Sequence, residues 1–261
     1  MAIKSKIKVK STAKSASMTF KKIAVHGPAG MGKTTLAATL AGYNPIVILT
    51  EKTGEESLQP VTLEKVFGAG RSDILYDIPY IEAYEPTSFE AAVNFAMESP
   101  DYDTIVFDSF SKASRLILKQ QKKDFADGRK AYGEHNDQAI GLLETLMGGD
   151  KHCVFLCHTT RIEDGETGEL IYSPSFEGKA FAEKFCYELA HVLYLDSEMD
   201  EAGNSERVLR CHQGDSDRFA KNRGGLLKEL EVPHLARIIY KLQGGIIEDP
   251  VKSTKKKKTT K

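Results

Sequence analysis

The run GPAGMGKT at residues 27–34 constrains this chain more than any other feature, because it fits G-x-x-x-x-G-K-[ST] at every defining position. Gly27 and Gly32 let the backbone turn tightly enough for its N–H groups to face a row of phosphates. Lys33 neutralises the outer ones, and the Thr34 hydroxyl reaches Mg2+. The candidate nucleotide-binding residues are therefore Gly27, Pro28, Ala29, Gly30, Met31, Gly32, Lys33, Thr34 and the adjoining Thr35. Such a loop needs a strand before it and a helix after it. Residues 21–26, KKIAVH, read as that strand and residues 33–41 as that helix.

Three further apolar runs each lead into a polar residue. PIVILT (45–50) is followed by Glu51, TIVF (104–107) by Asp108 and CVFLC (153–157) by His158. Buried parallel strands are apolar throughout, so alternation of such runs with helices predicts an α/β fold, a mainly parallel sheet covered on both faces. Ligands of such sheets gather at the carboxyl ends of the strands. Gly27, Glu51, Asp108 and His158 are thus expected at one site.

Between these strands the pattern is irregular over residues 52–80, and Thr87 with Glu90 reads as a capping box opening a helix over SFEAAVNFAME. Another helix is expected from about Ser111 into the charged QKKDFADGRK, which should surface or loop out, and a further one over residues 137–147. RIEDGETGELIY (161–172) reads as a polar hairpin or a mobile loop, and residues 178–186 as a short helix. HVLYL (191–195) and RVLRC (207–211) read as later strands of a C-terminal antiparallel extension, and residues 233–242 as the last helix, with Gly244 beyond its end.

Asp108 is the natural acidic partner for Mg2+ alongside Thr34. Ser109 follows it where a second acid would otherwise serve as base, so the group that orients the attacking water must come from elsewhere, and Glu51 is the choice. Ser109 can help position Asp108. His158 can donate a hydrogen bond to the terminal phosphate and link it to the loop that follows. Lys221 and Arg223, in AKNR, can supply cationic density to a triphosphate, in cis or from an adjacent subunit.

Charge is distributed unevenly although the net value is only −1. Residues 1–18 carry five lysines and residues 252–261 six, with no acid in either, which leaves about −12 on the body between them. Basic ends of this kind can rest on phosphate backbones or serve as solubilising tails. The organisation expected is a basic flexible arm at 1–18, one nucleotide-binding domain at 19–245 and a basic flexible tail at 246–261. No window approaches a membrane span or a signal peptide, so the expectation is a cytoplasmic protein with no membrane partner. The four cysteines lack metal-site spacing and are expected in the core.

The order GPAGMGKT, Glu51 after PIVILT, Asp108-Ser109 after TIVF and His158 after CVFLC resembles the RecA-like branch of P-loop ATPases, which also contains the Rad-type recombinases. Within it the chain is most similar to small phage-encoded nucleotide-binding proteins of the single-strand annealing and recombination group, with an AAA-type ATPase domain. The resemblance covers roughly residues 20–230. It implies ATP and Mg2+ as cofactors, and Glu51 as the catalytic glutamate. It also implies strand 153–157 lying between the P-loop strand and the Asp108 strand, and Lys221 and Arg223 reaching a neighbour's nucleotide. His158 stands where many recombinases place a phosphate-sensing glutamine, making the following loop (159–177) the candidate DNA contact, with Tyr172 and Phe176 available to stack on bases. That loop is acidic, with Glu163, Asp164, Glu166 and Glu169.

The function implied is a DNA-stimulated ATPase acting on single-stranded DNA in recombination, annealing or replication. It would act as a homo-oligomer, ring or filament, in a bacterial host cytoplasm if phage-encoded. Two alternatives are an ATPase acting on a replication or single-strand-binding protein, which the acidic loop favours, and a nucleotide-gated binding protein with little turnover.

Overall fold

The computed structural model describes residues 20–163, 168, 170–199, 203–214 and 217–247. The basic arm, nearly all of the tail, and the hairpin acids Asp164, Glu166 and Glu169 lie outside the described residues. Apolar runs form the strands that the sequence marks: β1 (Lys22–His26), β2 (Pro45–Leu49), β4 (Thr104–Asp108), β5 (His152–Cys157) and β8 (His191–Met199). The first four are buried along their whole length. With β3 (Tyr80–Glu82) they run in the order β8-β1-β5-β4-β2-β3, every neighbour parallel. Strand β5 does lie between the P-loop strand and the Asp108 strand.

The antiparallel extension is also present. β9 (Ser205–Arg210) folds back on β8, β11 (Leu230–Glu231) pairs with β9, and the two-residue β10 (Lys221–Asn222) pairs with the start of β8. β6 (Thr159–Glu163) and β7 (Leu170–Pro174) pair as a separate two-stranded hairpin, the first of the two readings of 161–172, extended by two residues at each end.

Side-chain alternation along the strands divides the core into two layers. On one face Ile23, Val25, Val47, Val106 and Leu193 pack against a 3-10 helix (Thr34–Thr39), the short helices α1 (Gly54–Leu58) and α2 (Pro60–Phe67), and the last helix α7 (Leu235–Leu242). On the other, Ala24, Ile48, Ile105, Phe107 and Phe155 meet α3 (Pro86–Glu98), α4 (Phe110–Asp124), α5 (Gly128–Gly148) and α6 (Lys179–Glu188). Cys153, Cys157 and Cys211 are core residues.

Several local expectations are corrected. The segment after the loop is 3-10 rather than a regular helix over 33–41. Leu36 and Leu40 bond back three residues to Lys33 and Ala37, and the Thr35 and Thr39 hydroxyls bond to the Gly32 and Leu36 carbonyls, also three residues back. Residues 52–80, read as irregular, hold α1 and α2, the latter opened by Pro60 at its first position. The cap of α3 is Glu85 with Ser88, not Thr87 with Glu90. Pro86 takes the first helical position, and Ser88 Oγ accepts from Glu85 N at 3.2 Å. QKKDFADGRK, by contrast, surfaces as expected: the helix from Phe110 runs into it as far as Asp124, and the Asp127 carboxylate, accepting from Arg129 N at 2.9 Å, restarts the chain as α5.

Phe110, the first residue of α4, is the hub of the second layer, with ring centroids of Phe107, Phe155 and Phe185 at 5.3, 4.7 and 5.5 Å. Phe110→Ala is expected to lower unfolding stability by about 3–5 kcal/mol, measured by urea unfolding. Phe110→Leu should cost clearly less.

Candidate nucleotide site

Parallel register brings the strand ends to one level. Asp108 lies beside Leu49 on one side and Leu156 on the other, and Cys157 lies beside His26. The chain therefore leaves β1, β2, β4 and β5 as Gly27, Thr50-Glu51, Ser109 and His158 along a single edge. Thr50 pins two of these exits together, a role the sequence reading missed. Its N–H donates to Asp108 O at 2.8 Å, and its hydroxyl accepts from Ser109 N at 3.0 Å and donates to Ser109 O at 2.9 Å. The Asp108–Ser109 peptide is cis.

The loop itself is closed on its own backbone. Lys33 Nζ donates to the Gly27 and Pro28 carbonyls at 2.7 and 2.8 Å. Burial pushes its ammonium down in pKa, against the opposing pull of Asp108. Gly27 is required by packing, since a Cβ there would stand 2.6 Å from Leu195 O. Pro28, Ala29 and Gly30 are exposed, and Met31, Gly32 and Thr34 are half-buried at the mouth. The Thr35 hydroxyl donates to Gly32 O at 2.8 Å and so holds the turn rather than facing a ligand.

Asp108 and Thr34 meet the demands of Mg2+. Asp108 is buried and its Oδ2 has no hydrogen-bond partner, a costly state for a carboxylate oxygen that a cation would relieve. Thr34 lies beside the carboxyl and favours its ionised form, but burial dominates and pushes Asp108 up to about 6. Gly54 keeps the approach open, since a Cβ there would come within 3.4 Å of Oδ2. Two hard oxygens, one anionic, suit Mg2+, which when bound would neutralise phosphate charge.

Glu51 does not face the loop freely. Its Oε1 is 2.8 Å from His158 Nε2 and accepts from Ser109 Oγ, which is itself 3.3 Å from His158 Nε2. The His158 hydrogen bond first, and Ser109 after it, hold the Glu51 carboxyl down to about 2 despite partial burial. A carboxylate this acidic is a poor proton acceptor at neutral pH. The backbone of His158 is also engaged, its N–H donating to Ser111 Oγ at 2.9 Å and its carbonyl accepting from Ser175 N at 2.9 Å, beyond the far strand of the hairpin.

His26, read only as the end of a strand, is a second tie to the hairpin. Buried and pushed down to about 4 by burial, it is neutral. Its Nε2 donates to Phe219 O at 2.7 Å, which leaves Nδ1 to accept from Thr159 Oγ1 at 2.9 Å. Phe219 N in turn donates to Tyr172 O at 2.7 Å.

Lys221 and Arg223 are not brought to this site. They lie beside the start of β8, at the opposite edge of the sheet, where Lys221 Nζ donates to Cys186 O at 2.9 Å and Tyr187 O at 3.0 Å, satisfying the C-terminal carbonyls of α6. Arg223 reaches Tyr187 O at 3.5 Å. Their reach to a nucleotide in the same chain is corrected by this placement, because β10 pairs at the amino end of the sheet and not the carboxyl end. Phe176 is not offered for stacking either, being packed on Phe181 and Phe185 at 5.0 and 4.6 Å.

The raised pKa of Asp108 has a consequence for stability. A group whose folded pKa, about 6, exceeds its ordinary value of 3.8 contributes fully below 3.8, and that contribution is lost as pH rises through 6. At pH 8 the nucleotide-free protein thus carries a buried charge costing on the order of 3 kcal/mol. Asp108→Asn is expected to raise the melting temperature of the nucleotide-free protein at pH 8 by a few degrees, with little gain at pH 4, while abolishing the further rise that Mg2+ with ATP gives the parent. Thermal unfolding at the two pH values checks both.

A family model described as an AAA domain matches residues 19–224. No curated protein matches the chain. Among the described residues no helix is long and apolar enough to cross a membrane. A complete phosphate loop, a buried carboxylate beside its Thr34 and a family match over most of the length lead to one statement: the chain belongs to the AAA-domain family of P-loop nucleoside triphosphatases, in which ATP binding and hydrolysis is the typical activity.

Proposed function

We propose that this protein is a RecA-like ATPase that works on single-stranded DNA as a homo-oligomer, its turnover coupled to the β6–β7 hairpin through His158. The observation that carries this reading is the Glu51–Ser109–His158 cluster, in which one imidazole touches the carboxylate at 2.8 Å while its backbone anchors the hairpin. While His158 and Ser109 hold it, Glu51 is too acidic to draw a proton from water. A terminal phosphate offers His158 a competing acceptor. Turning to it frees Glu51 to orient the attacking water and shifts the root of the hairpin in the same movement.

The rest of the chemistry is divided among the other strand ends. The loop N–H groups and Lys33 bind and orient the phosphates, and Thr34 with Asp108 would hold Mg2+. On the hairpin, exposed Arg161 lies over the Tyr172 ring at 5.5 Å, a pairing of cation and aromatic face that suits single-stranded nucleic acid. The lysine-rich sequence of the two ends suits further phosphate contacts. The second reading, an ATPase whose partner is a protein, is favoured by the acidic sequence of the hairpin, on which Glu163 stands exposed.

Phosphate release from ATP at low salt, with and without single-stranded DNA, separates these readings. The expected result is stimulation by DNA in the parent, near-complete loss of turnover in Glu51→Ala with nucleotide binding kept, and basal turnover with weakened stimulation in His158→Ala. Turnover indifferent to DNA would move the assignment to a protein partner. ATP binding with no turnover at all would move it to a nucleotide-gated binding protein.

A further inference from the structure

The phosphate loop has a visitor that the sequence did not announce. Arg207 lies on β9, two strands from β1, in register with Ser197 and on the same face as Leu209, which carries the 3-10 helix. Its Nη1 stands 2.7 Å from where a Cβ on Gly32 would sit, and Thr35 Oγ1 is 3.0 Å from the same point. The guanidinium therefore rests against the bare Cα of the glycine that immediately precedes Lys33. Gly32 leaves that space open, and its φ of +92 favours glycine there in its own right.

Electrostatics makes this placement hard to explain as packing. Two other arginines of the extension are neutralised: Arg210 pairs with Glu198 and Asp196, and Arg218 pairs with Asp196 at 2.7 Å and Asp217 at 2.6 Å, while Arg223 meets a backbone carbonyl, Tyr187 O at 3.5 Å. Arg207 is exposed, and among the described residues no carboxylate pairs with it. It shares the loop with Lys33 and with backbone N–H groups that also carry positive potential. An anion held over Gly32 and Lys33 would meet both cations.

We propose that Arg207 is a second cationic ligand of the nucleotide's phosphates, supplied by the same chain that provides the loop. It takes, on the near side, the role that Lys221 and Arg223 are too distant to fill within one chain. A guanidinium fork suits phosphate oxygens better than an ammonium, because it offers two parallel donors. This rests on the reading of residues 27–34 as a nucleotide site, and the test distinguishes the two.

Equilibrium binding of ATP and of ADP, each with Mg2+, is measured by calorimetry on the full chain. Arg207→Ala is expected to weaken ATP binding about tenfold or more, the loss typical of a charge-assisted hydrogen bond, with Arg207→Lys between it and the parent. Arg207→Gln, which keeps most of the stem over Gly32, gives the same answer should truncation to Ala unfold the chain. Unchanged affinity in the folded variants of a parent that binds ATP would overturn the proposal and leave the nucleotide site standing. Tighter binding in Arg207→Ala would overturn it too, making the arginine an occupant that nucleotide must displace. A parent that binds no nucleotide would sink both.

Discussion

The parallel register of β1, β5, β4 and β2 is the constraint on which the rest of the molecule depends. Parallel ladders fix where each strand stops relative to its neighbours, and here all four stop at the same level, so one glycine, two carboxylates and one imidazole emerge side by side. The Thr50 hydroxyl, bonded to both the N–H and the carbonyl of Ser109, closes the seam between β2 and β4 at that level. A slip of one residue would turn each side chain to the opposite face of the sheet and dissolve the site.

Function and stability pull in opposite directions at Asp108. A carboxylate buried without a partner for Oδ2 serves no packing purpose, and the aromatic layer built on Phe110, two residues along the chain, offsets what it costs. Glu51 illustrates the converse: its charge is well matched by His158 and Ser109, and that comfort is what keeps it from acting as a base. One carboxyl is held too high in pKa for comfort and its neighbour too low for chemistry. In the mechanism proposed, both conditions change when phosphates and a cation enter.

Most of the sheet was legible in the sequence because each buried parallel strand is a continuous apolar run closed by a polar residue, and the loop motif names its own neighbours. What escaped depended on distance along the chain or on local competition for hydrogen bonds. The 3-10 helix arises from threonine hydroxyls bonding back to carbonyls, which no hydrophobic period records. α3 is capped by Glu85 and not Thr87 because Pro86 is better suited to the first helical turn than to a later position. Lys221 and Arg223 are offered to a triphosphate by their basic turn and by the resemblance, whereas the pairing of β10 with the start of β8 carries them to the far edge. Arg207 left no signal, since its position follows from the register of β8 with β9, which is visible only once the sheet is assembled.

The neutral imidazole of His26 joins the strand that ends in the phosphate loop to Thr159 at one end of the hairpin and, through Phe219 and Tyr172, to the other. The hairpin is consequently plugged into the ATPase core at its base, while Arg161, Ile162 and Glu163 stand clear of that core. In engineering terms the base is a socket. A hairpin of different reach or charge could be grafted there, provided Thr159 and the strand residues that meet 217–219 are kept.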